Sequence, residues 1–245
     1  MASPFKQAKR GLRIKSAALL HSAVTNSPPW LQKAVGPALC YAEMLILDYG
    51  LARVLYNNRH KISDEAWRSA QPAPHHIRFA ARHGVKTVIN LRGDQSFGTH
   101  WLEDRACTRN GLKLVHFTLR SRAAPTREEL RGAKALFETV EYPILIHCKS
   151  GADRAGLMSA LFRYLHDGAS IGDAKNQLSL KFGHFRHADT GVLDYFFESY
   201  MADNARQPIA FWDWVDSRYD QAEVTRSFKS KGWANRVVND LLHRE

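Results

Sequence analysis

Residues Tyr142–His147 read Tyr-Pro-Ile-Leu-Ile-His, and a glycine-bearing loop, Cys148-Lys149-Ser150-Gly151-Ala152-Asp153-Arg154, follows at once. The next segment, Ala155–His166, is striped with apolar residues. A short, continuously apolar run predicts a strand buried on both faces, and the stripe predicts a helix. The join between them constrains the fold most. A loop at the C-terminal end of a buried strand, opening into a helix N-terminus, gathers backbone N–H groups and the positive end of a helix dipole at one point.

The surrounding chain repeats this alternation. Ala66–Ala70, Lys86–Leu91 and Lys113–Leu119 predict further strands. Pro74–His83, closed by Gly84, and His100–Asn110, ended by Gly111, predict helices. Thr126 with Glu129 forms a capping-box pattern that opens a helix running to about Val140. Beyond the loop the spacing predicts helices over Ile171–Leu180, Gly191–Ala202, Ile209–Tyr219 and Trp233–His243. Strands alternating with helices predict an α/β fold: a central mixed or parallel sheet of about four to five strands flanked by helices. An N-terminal helical extension, with a helix over residues 30–57, and a helical C-terminal tail complete it. The expected division is a basic arm and helix over residues 1–61 and a domain over 62–245, with its core at 63–205.

Charge bounds the partners. Lysines and arginines number 35 against 24 acids, a formal charge of +11. Such an excess favours anionic partners, although no nucleic-acid module accompanies it and no specific nucleic-acid partner is expected. The N-terminal region carries Lys6, Lys9, Arg10, Arg13, Lys15 and Lys33, with no acid before Glu43. Phe5, Leu12 and Leu19 fall at seven-residue spacing among those cations, a pattern compatible with peripheral contact of residues 1–29 with an anionic bilayer or with a solvated basic tail. Lys15, His21 and neighbouring hydroxyl residues make the run after the first cations too polar for a cleaved signal. Glu43, Asp48 and Arg53 interrupt the apolar run at 34–55, so it predicts a buried or interfacial helix and no membrane span. Three cysteines, Cys40, Cys107 and Cys148, show no CxxC spacing and suit a reducing cytoplasm, at most peripheral to the inner face of the cell membrane. The twelve histidines show no metal-ligand spacing; no metal and no cofactor is expected.

The loop residues carry the chemistry. Gly151 lets the backbone fold tightly, and Arg154 can close back over the bowl with a fork of donors that matches two phosphate oxygens. Lys149, Ser150, Gly151, Ala152, Asp153 and Arg154 are thus the candidate phosphate-binding residues. A thiol at a helix N-terminus near an arginine loses its proton more easily. Under a bound phosphate monoester, Cys148 would attack phosphorus in line, and water would hydrolyse the resulting phosphocysteine.

His147-Cys148-x-x-Gly151-x-x-Arg154, with Gly156 beyond, resembles the Cys-x5-Arg signature loop of the protein tyrosine phosphatase superfamily. Trp67-Arg68-Ser69-Ala70-Gln71-Pro72 and Val88-Ile89-Asn90-Leu91-Arg92 resemble the opening strand and the next strand of its bacterial dual-specificity branch. The resemblance covers roughly residues 63–205. It implies a phosphatase with Cys148 as nucleophile, Arg154 as phosphate ligand and His147 as a support that orients the loop and keeps Cys148 ionised. Two departures stand out. Ala155 replaces the family's hydroxyl residue after the arginine, and residues 110–127 hold no acid where the family carries its general acid. Two aspartates remain for that role: Asp153, inside the loop, and Asp94, just past the strand ending near Arg92. Arg120 and Arg122 stand in the place of the acid loop and could hold a second anionic group of the substrate. The aromatic and basic cluster Phe182-Gly183-His184-Phe185-Arg186-His187 would either border the cleft or merely connect helices. The expected substrate is a phosphorylated protein. The alternatives are a phospholipid or glycolipid phosphate at a membrane surface, or a catalytically weak phosphate-binding module.

Overall fold

A computed structural model describes residues 22, 26–46, 56–93 and 97–230. The elements follow in the order α1 (Pro29–Ile46), β1 (His60–Lys61), β2 (Ala66–Ser69), α2 (Pro74–Arg82), β3 (Thr87–Asn90), α3 (Phe97–Arg109), β4 (Lys113–His116), α4 (Arg127–Thr139), β5 (Ile144–His147), α5 (Asp153–Leu165), α6 (Ile171–Ala174), α7 (Val192–Arg206) and α8 (Phe211–Ser217). Three 3-10 turns, Lys175–Gln177, Leu180–Phe182 and Asp189–Gly191, link α6 to α7, and residues 221–230 are helical.

The five strands form one mixed sheet in the order β1-β2-β5-β3-β4. Only the β1–β2 pair is antiparallel; the other three pairs are parallel. This is the expected α/β architecture. Register fixes where the loop emerges. His147 on β5 sits opposite Ser69 on β2 and Asn90 on β3, so three parallel strands end level at one edge. The carboxyl edge of such a sheet is where α/β proteins place ligands.

Both faces of the sheet are covered, which is why β3 and β5 are buried along their whole length. On one face α5 contributes Leu157, Met158, Leu161 and Phe162 to a core that includes Leu130, Phe137, Phe196, Trp214 and Tyr219. Each such side chain contributes roughly 1.5–3 kcal/mol on burial. On the other face Ile77, Ala80, Val88, Cys107 and Leu145 pack together from α2, α3 and the sheet. Helix α1 lies on α3, with Cys40 and Met44 against Ala73 and Leu102.

Several sequence expectations need trimming. The expected strand Lys113–Leu119 ends at His116. The expected helix over 30–57 is described only as Pro29–Ile46; residues 47–55 lie outside the described part and 56–59 are not helical. The expected helix Ile171–Leu180 is broken into α6 and two 3-10 turns. Leu178 leaves helical backbone, and the Gln177 carbonyl accepts from Arg68 at 2.6 Å. The expected helix Trp233–His243 lies outside the described residues. Among the described residues no helix is long and apolar enough to cross a membrane.

Candidate active site

The loop after β5 is built from below by Arg68. This side chain on β2 is fully buried. Its Nη2 donates to the carbonyls of Gly151 at 2.7 Å and Ala152 at 2.9 Å, and its Nη1 to the backbone and side-chain oxygens of Gln177. The guanidinium also lies over the Phe182 ring, 4.0 Å from its centre. Burial pushes Arg68 down to about 10, and the negative charges of Cys148 and Asp153 work against that fall, so it remains a cation at neutral pH. A trans peptide sets N–H opposite C=O. The carbonyls bound by Arg68 therefore turn the amides of Ala152 and Asp153 away from it.

Two glycines make this approach possible. Gly151 has φ +75°, and a Cβ there would lie 2.6 Å from the Ala70 nitrogen and 2.7 Å from the Ser69 carbonyl carbon. At Gly156 a Cβ would stand 2.8 Å from Leu178 and 3.3 Å from Arg68 Nη2. Asn58 adds a second brace: its Nδ2 donates to the carbonyls of Ser150 and Phe182, both at 2.9 Å. The Gln71 amide reaches the Lys149 carbonyl at 3.3 Å.

Within the loop Cys148 is buried at the end of β5. Cys40 and Cys107 are buried away from the loop, in the packing of α1 and α3. Burial first, and then nearby acids, pushes both of their thiols up, Cys40 to about 11. Arg154 Nη1 reaches the Leu91 carbonyl at 3.3 Å, which places its guanidinium at the end of β3. Lys149 is half-buried and Ser150 exposed, with the Ser150 hydroxyl 3.4 Å from the Ala152 amide. The buried His147 ring faces away from the loop: its Nε2 lies 2.6 Å from Glu103 Oε1 on α3. Burial alone would push Glu103 up, but the charge and hydrogen bond of His147, with further help from Gln71 and His100, hold it below the usual carboxylate range. Asn90 Nδ2 donates to the other Glu103 oxygen at 2.7 Å, and the Asn90 side chain accepts the Arg92 amide.

The two candidate acids fare differently. Asp94 lies outside the described residues. Asp153 opens α5, and its Oδ1 is 2.7 Å from His184 Nδ1, while His184 Nε2 is 2.6 Å from Asp194 Oδ2 on α7. Burial alone would push His184 down; the hydrogen bonds it donates to Asp153 and Asp194, then their charges, outweigh it and raise it to about 9. The Phe182–His187 cluster thus touches the loop through Phe182 and His184. Asn58 and Asp194 lie in no motif and Arg68 only in a stretch that reads as a strand; the partners that tie them to the site lie from 10 to 124 positions away in sequence.

The segment at 119–125 is pinned. The Ala124 amide donates to Thr225 Oγ1 at 3.2 Å, Gln221 Nε2 to the Ala124 carbonyl at 3.1 Å, and the buried Tyr219 hydroxyl to the Pro125 carbonyl. Arg120 pairs loosely with Glu129 at 3.6 Å. Arg122 is exposed and, with Lys229, Val192 and Phe228, lines a cavity of about 410 Å³.

The dual specificity protein phosphatase TpbA of Pseudomonas aeruginosa is 31% identical over 147 residues, 60% of this chain. The chain covers 56% of the length of that relative. Its namesake from a second strain of the organism is 28% identical over 154 residues, 61% of this chain and 58% of the relative. The solved structure of TpbA superposes with a TM-score of 0.49 and 22% identity, covering 61% of this chain and 89% of that one. The family model described as "DSP-PTPase phosphatase fused to NAD+ kinase" matches residues 55–192, more than half of the sequence, and this chain is a member of that dual-specificity-type phosphatase family.

Proposed function

We propose that the protein hydrolyses phosphomonoesters through a phosphocysteine on Cys148, with phosphorylated tyrosine and other phosphorylated side chains of proteins as its first substrate class. The Arg68 clamp under Gly151 and Ala152 carries this reading, because it fixes loop amides opposite a buried cysteine at the carboxyl edge of the sheet. Arg154 binds two oxygens of the phosphoryl group, and loop amides from Lys149 to Asp153 bind the rest. The Cys148 thiolate attacks phosphorus as the bond to the leaving oxygen breaks. Asp153, the one acid of the loop, protonates that oxygen. Water then attacks phosphorus, gives its proton to Asp153, and the P–S bond breaks to return the thiolate. With Ala155 in place of a hydroxyl residue nothing at that position assists the leaving thiolate, so the second step limits turnover.

A panel of phosphotyrosine peptide, phosphoserine peptide and anionic phospholipid tests this reading. Turnover is expected with the phosphotyrosine peptide, lost in Cys148→Ser while vanadate binding survives. Full turnover by Cys148→Ser would overturn the mechanism.

The cavity beside the 119–125 segment favours a second reading, a substrate that carries another anionic group on an apolar frame, such as a phosphorylated lipid. Arg122 and Lys229 supply two cations there against one acid, Asp189, and Val192 and Phe228 supply apolar surface. Its lining holds no residue of the 148–154 loop, and the link to the loop is through chain neighbours: Val192 is two residues from Asp194, which holds His184. Contact of residues 1–29 with an anionic membrane would serve such a substrate; nearly all of that arm lies outside the described residues.

A further inference from the structure

His184 is a buried histidine held between two carboxylates, and only one of the three groups reaches solvent. The His184 side chain is 1% exposed, Asp194 5% and Asp153 25%. The chain runs inward from the loop: Asp153 on the first turn of α5, then His184, then Asp194 on the first turn of α7. Local backbone aims the ring. Gly183 closes the turn Leu180–Phe182 in the left-handed region, and the His184 amide is tied to the Ser179 carbonyl at 3.1 Å. Asp194 is too buried to meet a substrate and has no role in the mechanism above; its one recorded polar partner is the imidazole.

We propose that His184, anchored by Asp194, is the positioning residue of the acid–base group Asp153, a role that rests on the phosphatase reading. Between the two carboxylates the imidazole carries both protons, Nε2–H donating to Asp194 and Nδ1–H to Asp153. That bond occupies Oδ1 and leaves Oδ2 as the oxygen that exchanges the proton. During attack on phosphorus the proton leaves Oδ2 for the leaving oxygen, and in the second step a proton from water returns to Oδ2; His184 keeps both of its protons throughout. Asp153 thus needs no mobile loop to bring it to the phosphate. The charged groups that face the trio are Arg68 from below, at Asp153, and the two aspartates themselves. The pinned, acid-free segment at 119–125 fits this division of labour: proton transfer sits on the rigid side of the cleft.

The test compares p-nitrophenyl phosphate, a good leaving group, with phenyl phosphate, a poor one, in the full-length protein. A placed general acid is worth about 10²–10⁴-fold, and it matters only when the leaving group needs a proton. His184→Ala is expected to lower kcat/KM, which reports the first step, about 10–10²-fold for phenyl phosphate, with a much smaller loss for p-nitrophenyl phosphate. In an Asp153→Asn background the same change should cost nothing further, because the two act as one unit. His184→Gln keeps an N–H donor and should recover most of the turnover. If His184→Ala fails to fold, Asp194→Asn serves in its place, with the same leaving-group-selective loss expected. Equal losses of kcat/KM on both esters, or a double variant whose loss is the product of the single ones, would overturn the role while leaving the phosphatase reading intact. Turnover that survives Cys148→Ser would overturn that reading, and the role with it.

Discussion

Arg68 and Gly151 are 83 positions apart in sequence, yet the Arg68 guanidinium donates to the Gly151 carbonyl at 2.7 Å from inside the sheet. The loop is therefore held by a cation that lies beneath it, inside the sheet. Arg68→Ala would strand the carbonyls of Gly151, Ala152 and Gln177 in a buried site. Lost charge-assisted bonds of this kind cost about 1.5–3 kcal/mol each, less what local relaxation recovers. A loss of about 3 kcal/mol in urea denaturation and a fall in kcat of more than about 10²-fold are expected. Arg68→Lys keeps the charge without the planar fork and should recover stability better than turnover.

Two glycines with the same sign of φ separate strain from collision. Gly84, at φ +84°, has nothing within 4 Å of a built Cβ, whereas the Cβ of an alanine at Gly151 would meet the backbone of Ser69 and Ala70. Gly84→Ala should cost about 1 kcal/mol in thermal unfolding and leave kcat unchanged. Gly151→Ala should destabilise more and abolish turnover, since neither β2 nor the loop can yield without breaking the Arg68 bonds.

Stability should depend on pH through His184. Its pKa is raised from 6.5 to about 9 in the folded chain, by Asp153 and Asp194 against the opposing pull of burial. The folded state binds this proton more tightly than the unfolded one, so the contribution is full below pH 6.5 and lost as pH climbs through about 9. It amounts to about 3 kcal/mol. Urea denaturation at pH 6 and at pH 9.5 should show the drop, and Asp194→Asn should flatten it; an unchanged slope in that variant would show that another group is responsible.

The cavity at Arg122 and Lys229 predicts selectivity. Both cations are exposed, so each is worth at most about 1 kcal/mol to a bound anion. Replacing both with alanine should raise KM about tenfold for a substrate with a second phosphate and far less for p-nitrophenyl phosphate. The difference should shrink as salt rises. Equal KM changes for the two substrates would remove the cavity from substrate recognition.

What the sequence discloses is what is local. The run Ile144–His147 opens with three consecutive apolar residues and is a buried strand, and Thr126 with Glu129 closes a capping box with bonds of 3.1 and 2.7 Å, as the spacing required. The loop from Cys148 to Arg154 is likewise contiguous and could be read directly. His184 could be singled out only as part of an odd cluster, because its partners Asp153 and Asp194 lie 31 and 10 positions away. Arg68 stood inside a recognisable stretch, but nothing in that stretch says that its side chain crosses under a loop 83 positions on. The same contact ended the helix expected to run to Leu180: a carbonyl engaged by Arg68 at Gln177 is a tertiary event that periodicity does not contain.

The most direct test of the central claim is the fate of the phosphoryl group. The protein is mixed with p-nitrophenyl phosphate, quenched in acid within one turnover, digested and examined by mass spectrometry. A single phosphoryl group on the peptide that contains Cys148, absent from Cys148→Ser, is the predicted result, and with Ala155 slowing the second step it should accumulate. Turnover with no phosphoryl group on Cys148, undiminished in Cys148→Ser, would contradict the account.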